Sequence, residues 1–233
     1  MTPTLLQPVA GRASGARLHI LERPSRLMKA RSQKIKRAMD VAVALVLGVL
    51  ALPLIAVIAA AILLESGGPV LFAHMRVGKG GRRFRLWKFR TMVVDGEEIL
   101  RRHLARDPIR AREWALSHKL RNDPRVTRVG RLLRTTSLDE LPQLWNVLRG
   151  DMSMVGPRPV VDEELNRYAD AASLYLRVRP GLTGLWQVSG RNDTTYTRRV
   201  ELDKRYIRSW SPALDALVLL KTVRVVIVGK GAY

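Results

Sequence analysis

The sequence contains no cysteine, which excludes disulfides, thiolate nucleophiles and thiolate metal sites. It is also poor in acid: 20 Asp and Glu stand against 41 Lys and Arg, a net charge of +21. Such a field draws the chain towards polyanions, whether nucleic acid, anionic lipid or nucleotide phosphates. Helix-turn-helix, zinc-finger and RRM signatures are missing, so nucleic acid is the poorest match of the three. Internal repeats and low-complexity tracts are missing too. The 233 residues allow one ordinary domain and a membrane element.

From Val41 to Leu64 charge is absent altogether. As a helix this run would cover ~36 Å, more than a ~30 Å hydrocarbon core. A buried helix of a soluble core rarely stays apolar on every face for so long. Both flanks are basic, with Lys29, Arg31, Lys34, Lys36 and Arg37 before the run and Arg76, Lys79, Arg82, Arg83 and Arg85 after it. A spanning helix would put one cluster outside, against the tendency of Lys and Arg to stay cytoplasmic. Pro53 removes a backbone hydrogen bond midway and offers a place to bend. A helix that enters and returns on the cytoplasmic side therefore satisfies both flanks.

Residues 1–33 carry Gly, Pro, Ser and Arg without apolar periodicity and read as a loosely ordered basic arm. After the membrane segment, Pro69 to Val77 and Arg82 to Met92 read as two strands of a hairpin around Gly78, Lys79, Gly80 and Gly81. Those glycines fit neither GxxxxGK[ST] nor GxGxxG. Asp95 to Arg128 predicts one or two amphipathic helices broken near Asp107-Pro108 and Asp123-Pro124, presenting a basic surface. Ala213 to Val228 is apolar but interrupted by Asp215, Lys221 and Arg224, as in a core or interfacial helix.

Carboxylates meet a helix start in SLDELPQLWNVLRGDMSMVGPRP. Ser137 and Glu140 have the spacing of a capping box, in which both merely satisfy amides. Pro142 fits the first helical position better than a place deep in a first turn. In either register Asp139 and Glu140 sit at a helix N-terminus, where the dipole favours an ionised carboxylate, and their side chains diverge by ~100°. Lys88 and Arg90 alternate onto one face of the second strand, a pattern that suits a diphosphate and equally suits a solvated strand. Arg158 is held between Pro157 and Pro159, which lowers the entropy cost of fixing a guanidinium on a phosphate. Arg179-Pro180-Gly181 reads as a type II turn, and Arg191 follows Gly190 in a second constrained loop. Trp186 suits a base, the lipid interface or a core.

The ordered motifs KRAMD, the proline-broken apolar helix, GGPVLFAHMRVGKGG, KFRTM, SLDELPQLWNVLRGDMSMVGPRP, RPGLTGLWQVSGR, the Asp203 to Tyr206 segment and LDALVLLKT together resemble the small monotopic phosphoglycosyl transferases, or bacterial sugar transferases. The resemblance runs from Lys36 to the C-terminus. It is greatest to the galactosyl phosphotransferases that initiate succinoglycan-type exopolysaccharide, with the extra N-terminal helices and accessory domain of larger members missing.

The resemblance implies transfer of a sugar 1-phosphate, galactose 1-phosphate by analogy, from a UDP-sugar to undecaprenyl phosphate at the cytoplasmic face of the bacterial inner membrane, with Mg²⁺. It implies Asp139 as nucleophile, Glu140 as its partner, both near the metal, and Lys88, Arg90, Arg158, Arg191 and Asp203 as polar lining. Pro53 matches the helix break, although Leu52 replaces the usual small residue before it. The implied fold is α+β: a re-entrant membrane helix over residues 34–66, then a catalytic domain over 67–233 with interfacial amphipathic helices and a small β-hairpin. Expected partners are UDP-sugar, polyprenyl phosphate and membrane lipids, with no nucleic acid; oligomeric state stays open, a homodimer included. A non-catalytic membrane scaffold and a nucleic-acid-binding protein are the alternatives.

Overall fold

A computed structural model describes residues 27, 29–117, 120, 122–190 and 194–228. Most of the basic arm lies outside the described residues, as does Arg191. The fold is α+β, one long apolar helix followed by short helices around two small sheets.

Helix α1 covers Ala30–Ser66, 37 residues with Pro53 inside it and no interruption. At ~1.5 Å per residue it would reach ~55 Å if straight. It begins four residues before the expected membrane segment, at the end of the basic arm. Burial divides it into three parts: Lys36, Asp40 and Ala44 are buried at one end and Ile58 and Ile62 at the other. Between them Leu45, Val49, Leu50, Leu52 and Val57 are exposed. Its most apolar stretch is almost wholly exposed. A soluble core would hide such a surface, so α1 fits a membrane anchor.

Both ends of α1 pack on the same body. Near its start, Arg37 donates to the carbonyls of Val147 and Leu148 in helix α5, Gln143–Arg149. Near its end, Glu65 accepts from the Arg128 and Val129 amides at 2.7 and 3.0 Å, capping helix α4, Arg128–Thr136. Ile58 and Ile62 pack with Phe89 and Leu133.

The expected hairpin is present with trimmed ends: β1, Leu71–Val77, pairs antiparallel with β2, Arg83–Phe89. Asn146, fully buried on α5, accepts from Trp87 N–H at 3.1 Å and donates to the Arg85 carbonyl at 2.8 Å. Its amide thus stands in for a third strand beside β2. The basic segment forms α2, Gly96–Arg106, and α3, Pro108–Ser117, parted at Asp107, which caps α3 through the Ile109 and Arg110 amides.

Strand β3, Ser153–Val155, runs parallel to β4, Gly181–Thr183. The expected type II turn at Arg179-Pro180-Gly181 does not form, because Gly181 opens β4 and is not among the positive-φ glycines. Glycine is required there by close approach: a Cβ would fall 2.1 Å from the Gly156 nitrogen. Short helices α6, Asp162–Asn166, and α7, Ala172–Tyr175, precede α8, Tyr196–Ser209, and α9, Pro212–Val228. The apolar core gathers Val147, Met152, Val155, Tyr206, Ile207, Trp210 and Val218 between these elements.

A buried polar knot joins them. Lys36 Nζ donates to Asp215 at 2.7 Å and Asp40 at 3.3 Å. Asp40 also accepts from the Ser153 hydroxyl at 2.8 Å and the Met154 amide at 3.0 Å. Asp215 accepts from Tyr206 at 2.7 Å and Trp210 at 3.0 Å. The carboxylates thereby have enough donors to offset the cost of leaving water. Removing one partner strands the others, so Asp40→Ala should cost about 3–5 kcal/mol and lower Tm by on the order of 10 °C in detergent. The exposed control Glu201→Ala should change little; equal melting of the two variants would show that the knot does not hold the fold.

Candidate active site

Asp139 and Glu140 lie in one 3-10 turn, Leu138–Glu140, between α4 and α5. The capping-box reading fails here. Ser137 takes a left-handed conformation, φ 58°, as the C-cap of α4, and its side chain caps nothing. The chain therefore reverses tightly at Ser137 and delivers both acids beside β2, with Pro142 leading into α5. The two side chains do not diverge to separate partners as expected. Lys88 Nζ donates to Asp139 Oδ2 at 3.1 Å and to Glu140 Oε1 at 2.7 Å.

One ammonium cannot neutralise two carboxylates. Burial pushes the Asp139 carboxyl above its ordinary value; Lys88 pulls it down, and neighbouring Glu140 pushes it up again. Burial alone would lower the Lys88 pKa, but Glu140 and Asp139 together hold it above its usual range. Lys88 alone thus leaves one negative charge of the acid pair unbalanced in a half-buried place.

Arg134, which sequence reasoning passed over, adds a second cation. It is desolvated on α4, its Nε donates to Thr91 Oγ1 at 2.9 Å, and its charge favours ionised Asp139. Gly130 makes that approach feasible, since a Cβ there would lie 2.1 Å from the Thr91 carbonyl oxygen. An arginine five residues before the acid pair, on an amphipathic helix, was the available signal.

The remaining expected residues are placed elsewhere. Arg90 does not share a partner with Lys88. It is buried and donates to Ser66 Oγ at 2.9 Å and to the Gly67 carbonyl, closing the end of α1. Arg158 is exposed, with its guanidinium 5.7 Å from the centre of the Trp186 ring; Arg199 lies 4.7 Å from the same ring. Trp186 is itself buried, which removes it from the lipid interface. Asp203 is buried on α8 and accepts from Tyr168 at 2.8 Å. Burial pushes its carboxyl up to about 7, against the pull of that hydroxyl and of the Arg158 amide. That amide lies towards Asp203, yet Oδ1 makes no bond of normal geometry. No hydrogen bond or ion pair joins Arg158 or Asp203 to the Lys88 cluster among the described residues. Asp203 is thus bonded to Tyr168 in the interior of the domain and is not part of the Lys88 cluster.

Among the described residues no three His, Asp or Glu converge as a ready metal site. Two adjacent carboxylates do suit Mg²⁺, which commonly takes one or two carboxylates and completes its shell with water and substrate phosphates. Asp139 and Glu140 would be its protein ligands.

The model of the bacterial sugar transferase family matches residues 31–229. The chain is 47% identical over 214 residues to the undecaprenyl-phosphate galactose phosphotransferase of Salmonella typhimurium, covering 92% of this chain and 45% of that protein. It is 49% identical over 198 residues to the exopolysaccharide production protein ExoY of Rhizobium meliloti, covering 85% and 88% of the two chains. The UDP-glucose:undecaprenyl-phosphate glucose-1-phosphate transferase of Escherichia coli is 39% identical over 208 residues, 85% of this chain and 41% of that one. The chain spans less than half the length of the Salmonella and Escherichia proteins and most of ExoY. It belongs to the bacterial sugar transferase family.

Proposed function

We propose that this chain transfers a sugar 1-phosphate from a UDP-sugar, galactose by analogy with its relatives, to undecaprenyl phosphate, giving undecaprenyl-diphosphate sugar and UMP. The reaction would open exopolysaccharide synthesis at the cytoplasmic face of the bacterial inner membrane. The observation that carries this reading is the buried Asp139 carboxylate, held by Lys88 and flanked by Arg134, in a chain with an exposed apolar helix.

In the proposed mechanism Asp139 attacks the phosphorus that bears the sugar. The bond from that phosphorus to the bridging oxygen breaks, and the electron pair leaves on UMP. An oxygen of undecaprenyl phosphate then attacks the same phosphorus and releases the Asp139 carboxylate. One site thereby serves a soluble and a lipid substrate in turn. Lys88 holds the nucleophile until substrate arrives, and the phosphoryl oxygens then compete for its ammonium. Mg²⁺, held by Asp139 and Glu140, would supply charge stabilisation at those oxygens.

We further propose that α1 is re-entrant, with residues 34–66 dipping into one leaflet and 67–233 forming the catalytic domain. Support comes from the packing of both its ends on one body, with the Pro53 region left exposed between them. The rival, a non-catalytic scaffold binding anionic lipid, leaves the shared ammonium at Lys88 without a purpose.

Purified protein incubated with undecaprenyl phosphate and a panel of UDP-sugars should yield one lipid diphosphate-sugar identified by mass. Asp139→Asn should abolish turnover, and Lys88→Ala should reduce it by roughly 10²-fold or more with the protein still folded. A scaffold would tolerate both. Because the nucleophile is the ionised form and burial raises its pKa, turnover should fall on acidification before an ordinary aspartate protonates. An acid limb centred at or below the ordinary aspartate value would remove Asp139 from that role. The lack of native cysteine allows a clean topology test. Single cysteines at Ser32 and Gly80 should both resist an impermeant thiol reagent in spheroplasts, and labelling of either would defeat re-entrance.

A further inference from the structure

Three cations meet beside the buried knot, where α1 passes from charged to uncharged sequence. Lys79, on the turn between β1 and β2, donates from Nζ to Gln33 Oε1 at 2.6 Å. Arg179 donates from Nε to the Gly150 carbonyl at 2.7 Å. Arg37 donates to the carbonyls of Val147 and Leu148, and its guanidinium would lie 3.6 Å from a Cβ at Gly150. All three are half-buried, and none forms an ion pair among the described residues.

The carbonyls at the end of α5 explain the arginines only in part, since a helix C-terminus carries roughly half a negative charge. Lys36 is matched by Asp40 and Asp215. Counting all six groups, four cations face two carboxylates. Burial and the nearby Arg179 push both Lys79 and Arg37 below their ordinary values, a lowering that Asp40 opposes at Arg37 without cancelling. Gln33, Lys79 and Arg179 also line a small cavity with Lys36, Ser153 and Tyr206. Asp40 reaches that cavity too, but its oxygens are bound by Lys36, Ser153 and the Met154 amide.

We propose that Lys79, Arg179 and Arg37 form a binding site for a phosphate group, distinct from the cluster at Lys88. The turn that carries Lys79 meets β2 at Arg83, five residues before Lys88, or roughly 17 Å along an extended strand. A phosphate there adds the missing negative charge and uses the ammonium and guanidinium protons that the carbonyls leave over. It would pin the base of α1 to the hairpin turn and to the loop after α7. The phosphate comes either from the headgroup of an anionic phospholipid or from solution.

The test uses native mass spectrometry of the full-length protein in detergent with added phosphatidylglycerol, phosphatidylcholine or inorganic phosphate. Gln33→Glu gives Lys79 a carboxylate partner without removing a cation; Lys79→Glu reverses the charge, and Lys79→Arg keeps it. Wild type and Lys79→Arg should retain phosphatidylglycerol over phosphatidylcholine, and Gln33→Glu and Lys79→Glu should each weaken retention about five-fold or more. Unchanged melting of Gln33→Glu separates loss of the site from loss of the fold, and the Lys79 pair decides the matter if that variant is unstable. Displacement of phosphatidylglycerol by millimolar inorganic phosphate assigns the site to free phosphate, and resistance assigns it to the headgroup. Equal retention of both ligands by wild type, Gln33→Glu and Lys79→Glu would overturn the proposal.

Discussion

Asp40 and Asp215 reach the same ammonium, Lys36 Nζ, from elements at opposite ends of the sequence. Because the three are buried, none can be left without the others at tolerable cost. The bond network then fixes what each touches: Asp40 holds Ser153 and Met154 on β3, while Asp215 holds Tyr206 and Trp210 around α8. The Val155 carbonyl lies 2.9 Å from the same Tyr206 hydroxyl, a second acceptor for the one proton that Asp215 holds at 2.7 Å, so the far end of β3 also lies against this network. The loop after β3 carries Arg158, and α5 before it follows the Asp139 turn. The base of the long apolar helix is thereby joined to the scaffold beneath both groups of candidate residues.

Two lysines in this chain are each shared by two carboxylates, with opposite results. Around Lys36 the extra negative charge is met by four neutral donors, the Ser153, Tyr206 and Trp210 side chains and the Met154 amide. Around Lys88 no neutral donor meets Asp139 or Glu140 among the described residues, and burial is less complete. The first arrangement is closed and holds the fold together. The second leaves both carboxylates without neutral donors, balanced only by Lys88 and the more distant charge of Arg134, and keeps an ammonium that incoming phosphates can attract, which suits a nucleophile and a metal partner.

Local patterns made much of the fold legible. The hairpin, the break at Asp107 and the apolar helix follow from glycine, proline and charge spacing; the structure trims three of the four strand ends by one to three residues and starts the helix four residues earlier. Lys88, Asp139 and Glu140 were legible as a cationic strand position and an acid pair, but their meeting was not. Arg90 shows why: strand alternation puts it on the face of Lys88, yet its length lets it reach the end of α1. The Lys36–Asp40–Asp215 knot lay in two quoted motifs, KRAMD and LDALVLLKT, without a role. Pairing across nearly the whole chain leaves no local periodicity to read. Gly181 was misread for a related reason, since its constraint is another strand's backbone and not its own φ.

In the proposed mechanism Asp139 is the nucleophile that carries the sugar phosphate, and not only a ligand or a base. Protein, Mg²⁺ and the accepted UDP-sugar, incubated without undecaprenyl phosphate, should release UMP and add one sugar-phosphate mass to the peptide containing Asp139. The adduct should disappear when undecaprenyl phosphate is supplied. Release of UMP only when both substrates are present, with no adduct on that peptide, would contradict the account.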